Sequence, residues 1–221
     1  MSVLTVVKCG GAALGSEPFV LERFVEPDGR AVVVHGAGAR ISAALDAAGL
    51  TSTFVGGRRV TSRAALPIVR EAFRAANAEL CRQIGPRARG VMGDELGLEA
   101  RHLPELGEVG MLLAVVPPAL AGLVAEGSLP VIAPLARGPL NVNADDAAAV
   151  LAVALGADRL VFVSDVPGVL VDGRVLPELA EDDIGALNGS LSGGIVPKLE
   201  AAVRAARAGV RVDVGATTVV A

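Results

Sequence analysis

The chain has 221 residues, enough for one generous α/β domain or two merged lobes and too few for an array of modules. Twenty basic side chains against 24 acidic ones leave a formal charge of −4, and no run of like charge exceeds three residues, which argues against a nucleic-acid or anionic-membrane surface. Aromatic residues are 2% of the chain, so the core must be built from Val, Leu, Ala and Ile, and stacking platforms for single-stranded nucleic acid are effectively lacking.

Val3–Val7 opens the chain as an apolar strand, with no basic segment or small-residue cleavage site before it, so no signal peptide is expected. Val-rich runs at Ala31–His35, Leu129–Ala133, Leu160–Val163 and Val210–Val214 predict further strands. Their near-continuous apolar character suits a parallel sheet covered on both faces. Helices are predicted over Pro18–Val25, Ala39–Ala48, Arg63–Ile84, Pro118–Glu126, Ala144–Leu155 and Ile195–Ala208. Pro67 falls near the first turn of the longest of these, where proline is tolerated. From Arg89 to Val116, glycines punctuate short extended pieces, which read as hairpins forming a flap over one end of the sheet. The alternation predicts an α/β fold, a doubly wound three-layer αβα sandwich with one central, mostly parallel sheet shared by both halves. Ligands in such sheets bind at the carboxyl ends of the strands, where the polar motifs of this chain fall. The longest uncharged stretch, Val109 to Ala125, is broken by Pro117-Pro118 and is too short to span a bilayer comfortably. Cys9 and Cys81 can supply neither a disulfide framework nor a four-ligand zinc site, and a reducing cytosol is the default reading.

The cations carry more information than their total. There are 18 arginines and only two lysines, Lys8 and Lys198. Lysine is a compact point charge and arginine a planar fork, so two surviving lysines mark positions where a point charge is required, unless they persist by chance. Lys8-Cys9-Gly10-Gly11 ends the first strand, putting a point charge beside backbone N–H groups that can close on an anion; a strand-to-helix turn that needs glycine would look the same. The second strand leads into His35-Gly36-Ala37-Gly38 before an alanine-rich helix. This is not a dinucleotide fingerprint, which disfavours a Rossmann dehydrogenase. His35 is read as a structural residue and given no chemistry.

Gly57-Arg58-Arg59-Val60-Thr61 offers two arginines, one of which could clamp a carboxylate, or both of which could be a solvated pair. Asn141-Val142-Asn143-Ala144-Asp145-Asp146 places two amides and two acids at a helix start, more than a cap alone uses. A carboxylate there could orient a catalytic lysine. Ser164-Asp165-Val166-Pro167-Gly168-Val169-Leu170 follows a strand, with Asp165 well placed near a nucleotide. Lys198 lies in the first turn of the helix after Ser192-Gly193-Gly194, where a cation opposes the helix dipole and needs a local anion, for which a bound phosphate is the candidate.

In order and approximate spacing this set resembles the amino acid kinase family, over nearly the whole chain, and within it most closely the members that phosphorylate free N-acetyl-L-glutamate. The resemblance implies transfer of the ATP γ-phosphoryl group to the γ-carboxylate of N-acetyl-L-glutamate, an early step of arginine biosynthesis, in the cytoplasm. By the same resemblance Lys8 and Lys198 stabilise the transferring group and Asp145 holds them in place. Gly10, Gly11, Gly36, Ala37 and Gly38 line the phosphoryl and acyl groups, and Arg59, Asn141 and Asn143 bind the amino-acid part. Ser164 to Leu170 and Ser190, Leu191 and Ser192 border the nucleotide, and Mg2+ rides on the ATP phosphates without protein ligands of its own. A substrate and dimerisation lobe over about 1–135, a nucleotide lobe over 136–221 and a homodimer are implied as well. Three departures stand out: Ala37 occupies a place usually held by glycine, and both the segment after Val214 and the segment Ser16–Gly29 are short. Two alternatives remain: a kinase acting on a carrier-linked aminoadipate or glutamate, and a non-catalytic nucleotide-sensing homologue.

Overall fold

The computed structural model describes residues 2–10, 20–26, 28–163, 167–187 and 195–221. Eight strands form one central sheet in the spatial order Glu178–Ala180, Thr217–Val220, Arg211–Val214, Arg159–Val163, Leu4–Cys9, Arg30–His35, Leu129–Ala133, Ala88–Met92. All pairings in it are parallel except that of Arg211–Val214 with Thr217–Val220. Both halves of the chain contribute to this one sheet, as expected.

Leu4–Cys9 is buried along its whole length because the pleat sends alternate side chains into two different cores. Leu4 and Val6 join Val32, Val34 and Phe162 beneath the helices Ala144–Ala154 and Ile195–Arg207. Val7 and Cys9 join Val33, Val131 and Leu80 on the opposite face, where the helix Leu66–Ile84 packs. Each such aliphatic side chain contributes about 1.5–3 kcal/mol by leaving water. The chain pairs Leu4–Cys9 first with Arg30–His35 on one side, then returns to pair Arg159–Val163 on the other. A crevice therefore opens at the carboxyl end of the central strand, beside Lys8.

Several elements differ from the sequence-based expectation, among them the edge strand Glu178–Ala180 and the helix Glu181–Leu187, both unassigned from the sequence. In place of a helix over Pro18–Val25, the described residues form only a 3-10 turn, Leu21–Arg23, whose leading Val20 offers no side-chain cap; Pro18 itself lies outside the described residues. The long helix begins at Leu66 because Ser62 Oγ accepts from Ala65 N–H (3.1 Å) and holds residues 62–65 as a turn. Ala88–Met92 is no part of a flap: it pairs in register with Leu129–Ala133 as an edge strand of the main sheet. The hairpin read around it is confined to Ala100–His102 and Val109–Leu112, in a small sheet with Leu140–Val142 and Leu135–Ala136. Thr217–Val220, unassigned from the sequence, turns back on Arg211–Val214 through Gly215 (φ +57°) and pairs with Glu178–Ala180.

Gly93 marks the junction of the edge strand with the small sheet. A Cβ there would stand 2.3 Å from the Leu135 carbonyl oxygen and 3.1 Å from that of Ala133, both backbone atoms that cannot rotate away. Gly93→Ala is expected to lower stability by about 1–3 kcal/mol through overpacking, read as a reduced denaturant midpoint with an unchanged m-value.

Candidate active site

A cleft of about 210 Å3 lies at the carboxyl ends of the central strands, lined among others by Lys8, Gly36, Ala37, Gly38, Arg59, Asn141, Asn143 and Asp145. The last residues of two adjacent strands and the first turn of the helix Ala144–Ala154 meet there. Asn143 caps that helix, its Oδ1 accepting from the backbone N–H of Asp145 (2.8 Å) and Asp146 (3.0 Å), which fixes both acids in the first turn where the helix dipole favours them.

The two lysines meet on one atom. Lys8 Nζ lies 2.8 Å from Asp145 Oδ1, and Lys198 Nζ lies 3.0 Å from the same oxygen. The two nitrogens therefore cannot be farther apart than the sum of those distances, although 190 positions separate them in the chain. All three side chains are nearly buried, with exposures of 8%, 12% and 14% for Lys8, Lys198 and Asp145. Burial works to raise the Asp145 pKa, but Lys8 and Lys198 together outweigh it and hold the carboxyl below its ordinary value. Burial, aided by the nearby charge of Lys8, pushes the Lys198 ammonium below its ordinary range, against the opposing pull of Asp145. Lys198 Nζ also lies 5.2 Å from the centre of the Phe162 ring. The anion that meets Lys198 is thus a protein carboxylate. That contact gives this helix turn a local anion besides the phosphate that the sequence reading offered as candidate. Two cations against one anion leave the cluster with an excess positive charge facing the cleft.

Arg59 is buried beside it. Its guanidinium donates to the Gly38 carbonyl (3.0 Å), to Ser42 Oγ (3.1 Å) and to Ser52 Oγ, and lies 4.5 Å from the Phe54 ring centre. All of those acceptors are neutral, and among the described residues no carboxylate forms an ion pair with it. Asn141 Nδ2 donates to Thr61 Oγ1 (3.0 Å), which in turn donates to the Arg59 carbonyl. Gly57-Arg58-Arg59 is part of a strand-turn-strand hairpin, Phe54–Val55 with Arg58–Arg59, and of the two arginines only Arg59 is buried.

Ala37 has φ −142° and ψ 29°, a negative φ, so the backbone there is not in the left-handed region that calls for glycine. His35 is structural, in line with the sequence reading. Its Nδ1 faces the Gly36 carbonyl (3.3 Å), which can only accept, so Nδ1 carries the proton and Nε2 accepts from Asn77 Nδ2 (3.0 Å). Burial lowers its pKa to about 4 and keeps it neutral. Gly10 lies two residues past Lys8, just beyond the strand's end. Pro167 to Leu170 sit past the strand Arg159–Val163, seated on the last strand: the Pro167 carbonyl accepts from Ala216 N–H (2.7 Å), and Val169 N–H donates to Thr217 Oγ1 (2.8 Å). Gly11, Ser164, Asp165, Val166, Ser190, Leu191 and Ser192 lie outside the described residues. What the sequence did not disclose is the role of Asp146, whose carboxylate joins Arg58 and Arg204; its only signal was a second acid after Asp145.

A mostly parallel sheet with helices on both faces, and two lysines gathered on one carboxylate at the carboxyl ends of its central strands, defines a doubly wound α/β protein. A model of the amino acid kinase family matches residues 3–215, and the chain belongs to that family. It is 43% identical over 216 residues to the acetylglutamate kinase of Rubrobacter xylanophilus, spanning 93% of this chain and 85% of that one. It is 41% identical over 222 residues to an acetylglutamate kinase of Thermus thermophilus, spanning 95% and 89%. Among solved structures, a Streptococcus mutans UA159 protein matches with a TM-score of 0.85 at 24% identity, covering 98% of both chains. Carbamate kinase from Giardia lamblia bound to citric acid matches with a TM-score of 0.68 at 13% identity, covering 99% of this chain and 98% of the other. At those identities the two structures speak for the fold.

Because Asp145 titrates below its ordinary value in the folded protein, the stability it contributes is complete above that value, 3.8, and is lost as the pH falls through the lower folded one. Asp145→Asn leaves two buried ammonium groups facing each other and is expected to cost about 3–5 kcal/mol at neutral pH. The gap to the wild type should narrow as the pH drops below 3.8, measured by thermal unfolding across an acid series.

Proposed function

We propose that this protein transfers the γ-phosphoryl group of ATP to the γ-carboxylate of N-acetyl-L-glutamate, giving N-acetyl-L-glutamyl 5-phosphate for arginine biosynthesis. The observation that carries the reading is the sharing of Asp145 Oδ1 by Lys8 and Lys198. The relatives named acetylglutamate kinase support it at 41–43% identity over most of their length.

In this mechanism a carboxylate oxygen of the acyl substrate attacks the γ-phosphorus as the bond to the β-phosphate bridging oxygen breaks, and ADP leaves. A carboxylate nucleophile carries no proton, so no general base is required. That is consistent with His35, next to the cleft-lining Gly36, being buried and neutral. Phosphoryl transfer asks the protein mainly for alignment and for positive charge where negative charge is redistributed. Lys8 and Lys198 supply the charge and Asp145 keeps both within reach of one group. Backbone N–H groups at Gly10, Gly11, Ala37 and Gly38 would hold the phosphoryl and acyl oxygens, whereas the Gly36 N–H, expected to join them, is given to the Cys9 carbonyl (2.9 Å). Arg59, a buried cation whose hydrogen-bond acceptors are all neutral, would take the substrate's α-carboxylate, with Asn141 and Asn143 on neighbouring polar atoms. Residues 164–170 and 190–192 would border the nucleotide in a lobe over about 136–221, opposite a substrate lobe over about 1–135. Asp145, engaged by two lysines, is not free to ligate a metal through that oxygen; Mg2+ would be carried by the nucleotide phosphates, where it would offset their charge. A homodimer belongs to the same proposal. The open sheet edge at Ala88–Met92, where Arg89 and Gly90 are exposed, supports it as a surface suited to a second copy.

Hydroxamate trapping reads the acyl phosphate directly. Turnover with free N-acetyl-L-glutamate is the expected result, and turnover with a carrier-linked substrate alone would overturn the assignment. Lys8→Arg and Lys198→Arg should each lower kcat about a hundredfold or more in folded protein, since a planar fork cannot replace a point charge at fixed geometry. Wild-type rates in both would show the lysines to be incidental. The alkaline limb of the kcat profile should fall below the ordinary lysine range, because Lys198 loses its proton early, and it should move lower still when Asp145 no longer opposes that loss.

A further inference from the structure

Asp146 follows the lysine-holding carboxylate by one residue, yet its side chain serves a different pair of cations. It is 8% exposed. Its Oδ2 accepts from Arg58 Nη2 at 2.6 Å and its Oδ1 accepts from Arg204 Nη2. The three residues come from three elements. Arg58 belongs to the hairpin that carries Arg59, Asp146 to the first turn of Ala144–Ala154, and Arg204 to the helix Ile195–Arg207 that carries Lys198. The same hairpin touches the same two helices independently of the ion pairs. The Gly57 carbonyl accepts from Asn143 Nδ2 (3.0 Å), and a Cβ at Gly57 would stand 2.4 Å from Pro197 Cγ, one residue before Lys198.

Stability is a poor account of this triad. Desolvating Asp146 and most of Arg58 returns little net free energy, and the pair with the half-exposed Arg204 is screened by solvent. Arg58 Nε is moreover buried without a hydrogen-bond partner among the described residues, which is a cost. What two guanidinium groups on one carboxylate supply is fixed geometry: each oxygen is assigned its own arginine, and the hairpin and the lysine helix are held in one register.

We propose that Asp146 is a positioning residue that, through Arg58 and Arg204, keeps the substrate-binding Arg59 aligned with Lys198. The proposal rests on the kinase reading above and assigns the two arms separable effects. The Arg58 arm sets where Arg59 meets the acyl substrate. The Arg204 arm sets where Lys198 meets the transferring phosphoryl group. A misplacement of about 1 Å is enough to cost up to a hundredfold in rate.

The test is steady-state kinetics by hydroxamate trapping on the full chain, with thermal unfolding of every variant. Arg58→Gln is expected to raise KM for N-acetyl-L-glutamate about tenfold while KM for ATP stays within about twofold of the wild type. Arg204→Gln, which removes a half-exposed side chain and leaves the fold intact, is expected to lower kcat about tenfold with KM for N-acetyl-L-glutamate little changed. Asp146→Asn should show both effects, and adding the two arginine changes to it should bring little more, as for groups that act as one unit. If Arg204→Gln and Asp146→Asn lower the melting temperature but leave both kinetic constants per active site unchanged, the triad is only structural and the proposal is wrong. Wild-type constants in all variants overturn it equally. A wild-type protein that forms no acyl phosphate overturns the kinase reading and this proposal together, whereas an active wild type with unaffected variants overturns this one alone.

Discussion

Two ammonium groups held on a single carboxylate oxygen are the constraint around which the rest of the site is arranged. Like charges this close repel, and in a cleft of low dielectric they do so more strongly than in water. Asp145 makes the approach tolerable without cancelling it, because one negative charge faces two positive ones. The remainder is the attraction an incoming phosphoryl group would feel. The helix dipoles sharpen the point. Asp145 stands in a first turn where a carboxylate is favoured, while Lys198 stands in a first turn where a cation is disfavoured. The second placement is stable only because the first lies within hydrogen-bond distance. Neither helix could be moved alone without exposing that imbalance.

The fold supplies the register for this contact. Lys8 stands near the end of a central strand, opposite Phe162 on one neighbour and Val34 on the other, so its backbone is fixed from both sides. Lys198 reaches the same oxygen from a helix that packs on the sheet through Leu199, Ala202 and Val203. A buried lattice of small aliphatic side chains thus fixes two flexible four-carbon stems. The hairpin over Phe54–Val55 and Arg58–Arg59 completes the cleft, bringing a buried arginine with neutral partners to within one cavity of the lysine pair. Asp146 and Asn143, at the head of one helix, tie that hairpin down by charge and by hydrogen bond respectively. The division of labour between adjacent acids is clear: one gathers the point charges, the other the planar ones.

Periodicity is sufficient wherever an element satisfies its own pattern. Leu129–Ala133 agrees with the sequence reading to the residue, and Arg30–His35, Arg159–Val163 and the helices at Gly38–Ala47, Ala144–Ala154 and Ile195–Arg207 agree to within a residue or so. Periodicity fails where pairing decides the outcome. Ala88–Met92 contains Arg89 and Gly90, which spoil any apolar run, and it is a strand because Leu129–Ala133 presents a free edge to it. Thr217–Val220 is too short and too near a glycine turn to stand out, and it exists through ladders on both sides. Where a helix was expected before Val25, the described residues form a 3-10 turn, Leu21–Arg23, with no side-chain cap at Val20.

For the site, the chain alone determined the chemistry on offer. It carries two lysines among eighteen arginines, amides and acids gathered at a helix start, and glycines after strands, because residue type sets charge, donor geometry and backbone freedom wherever the residue ends up. Tertiary structure alone decided who meets whom. That Lys8 and Lys198 share one oxygen, that Arg59 turns inward while Arg58 turns to Asp146, and that Ala37 sits at a negative φ follow from packing between elements far apart in sequence. Those distances arise from strand order and helix docking, and no local pattern encodes them.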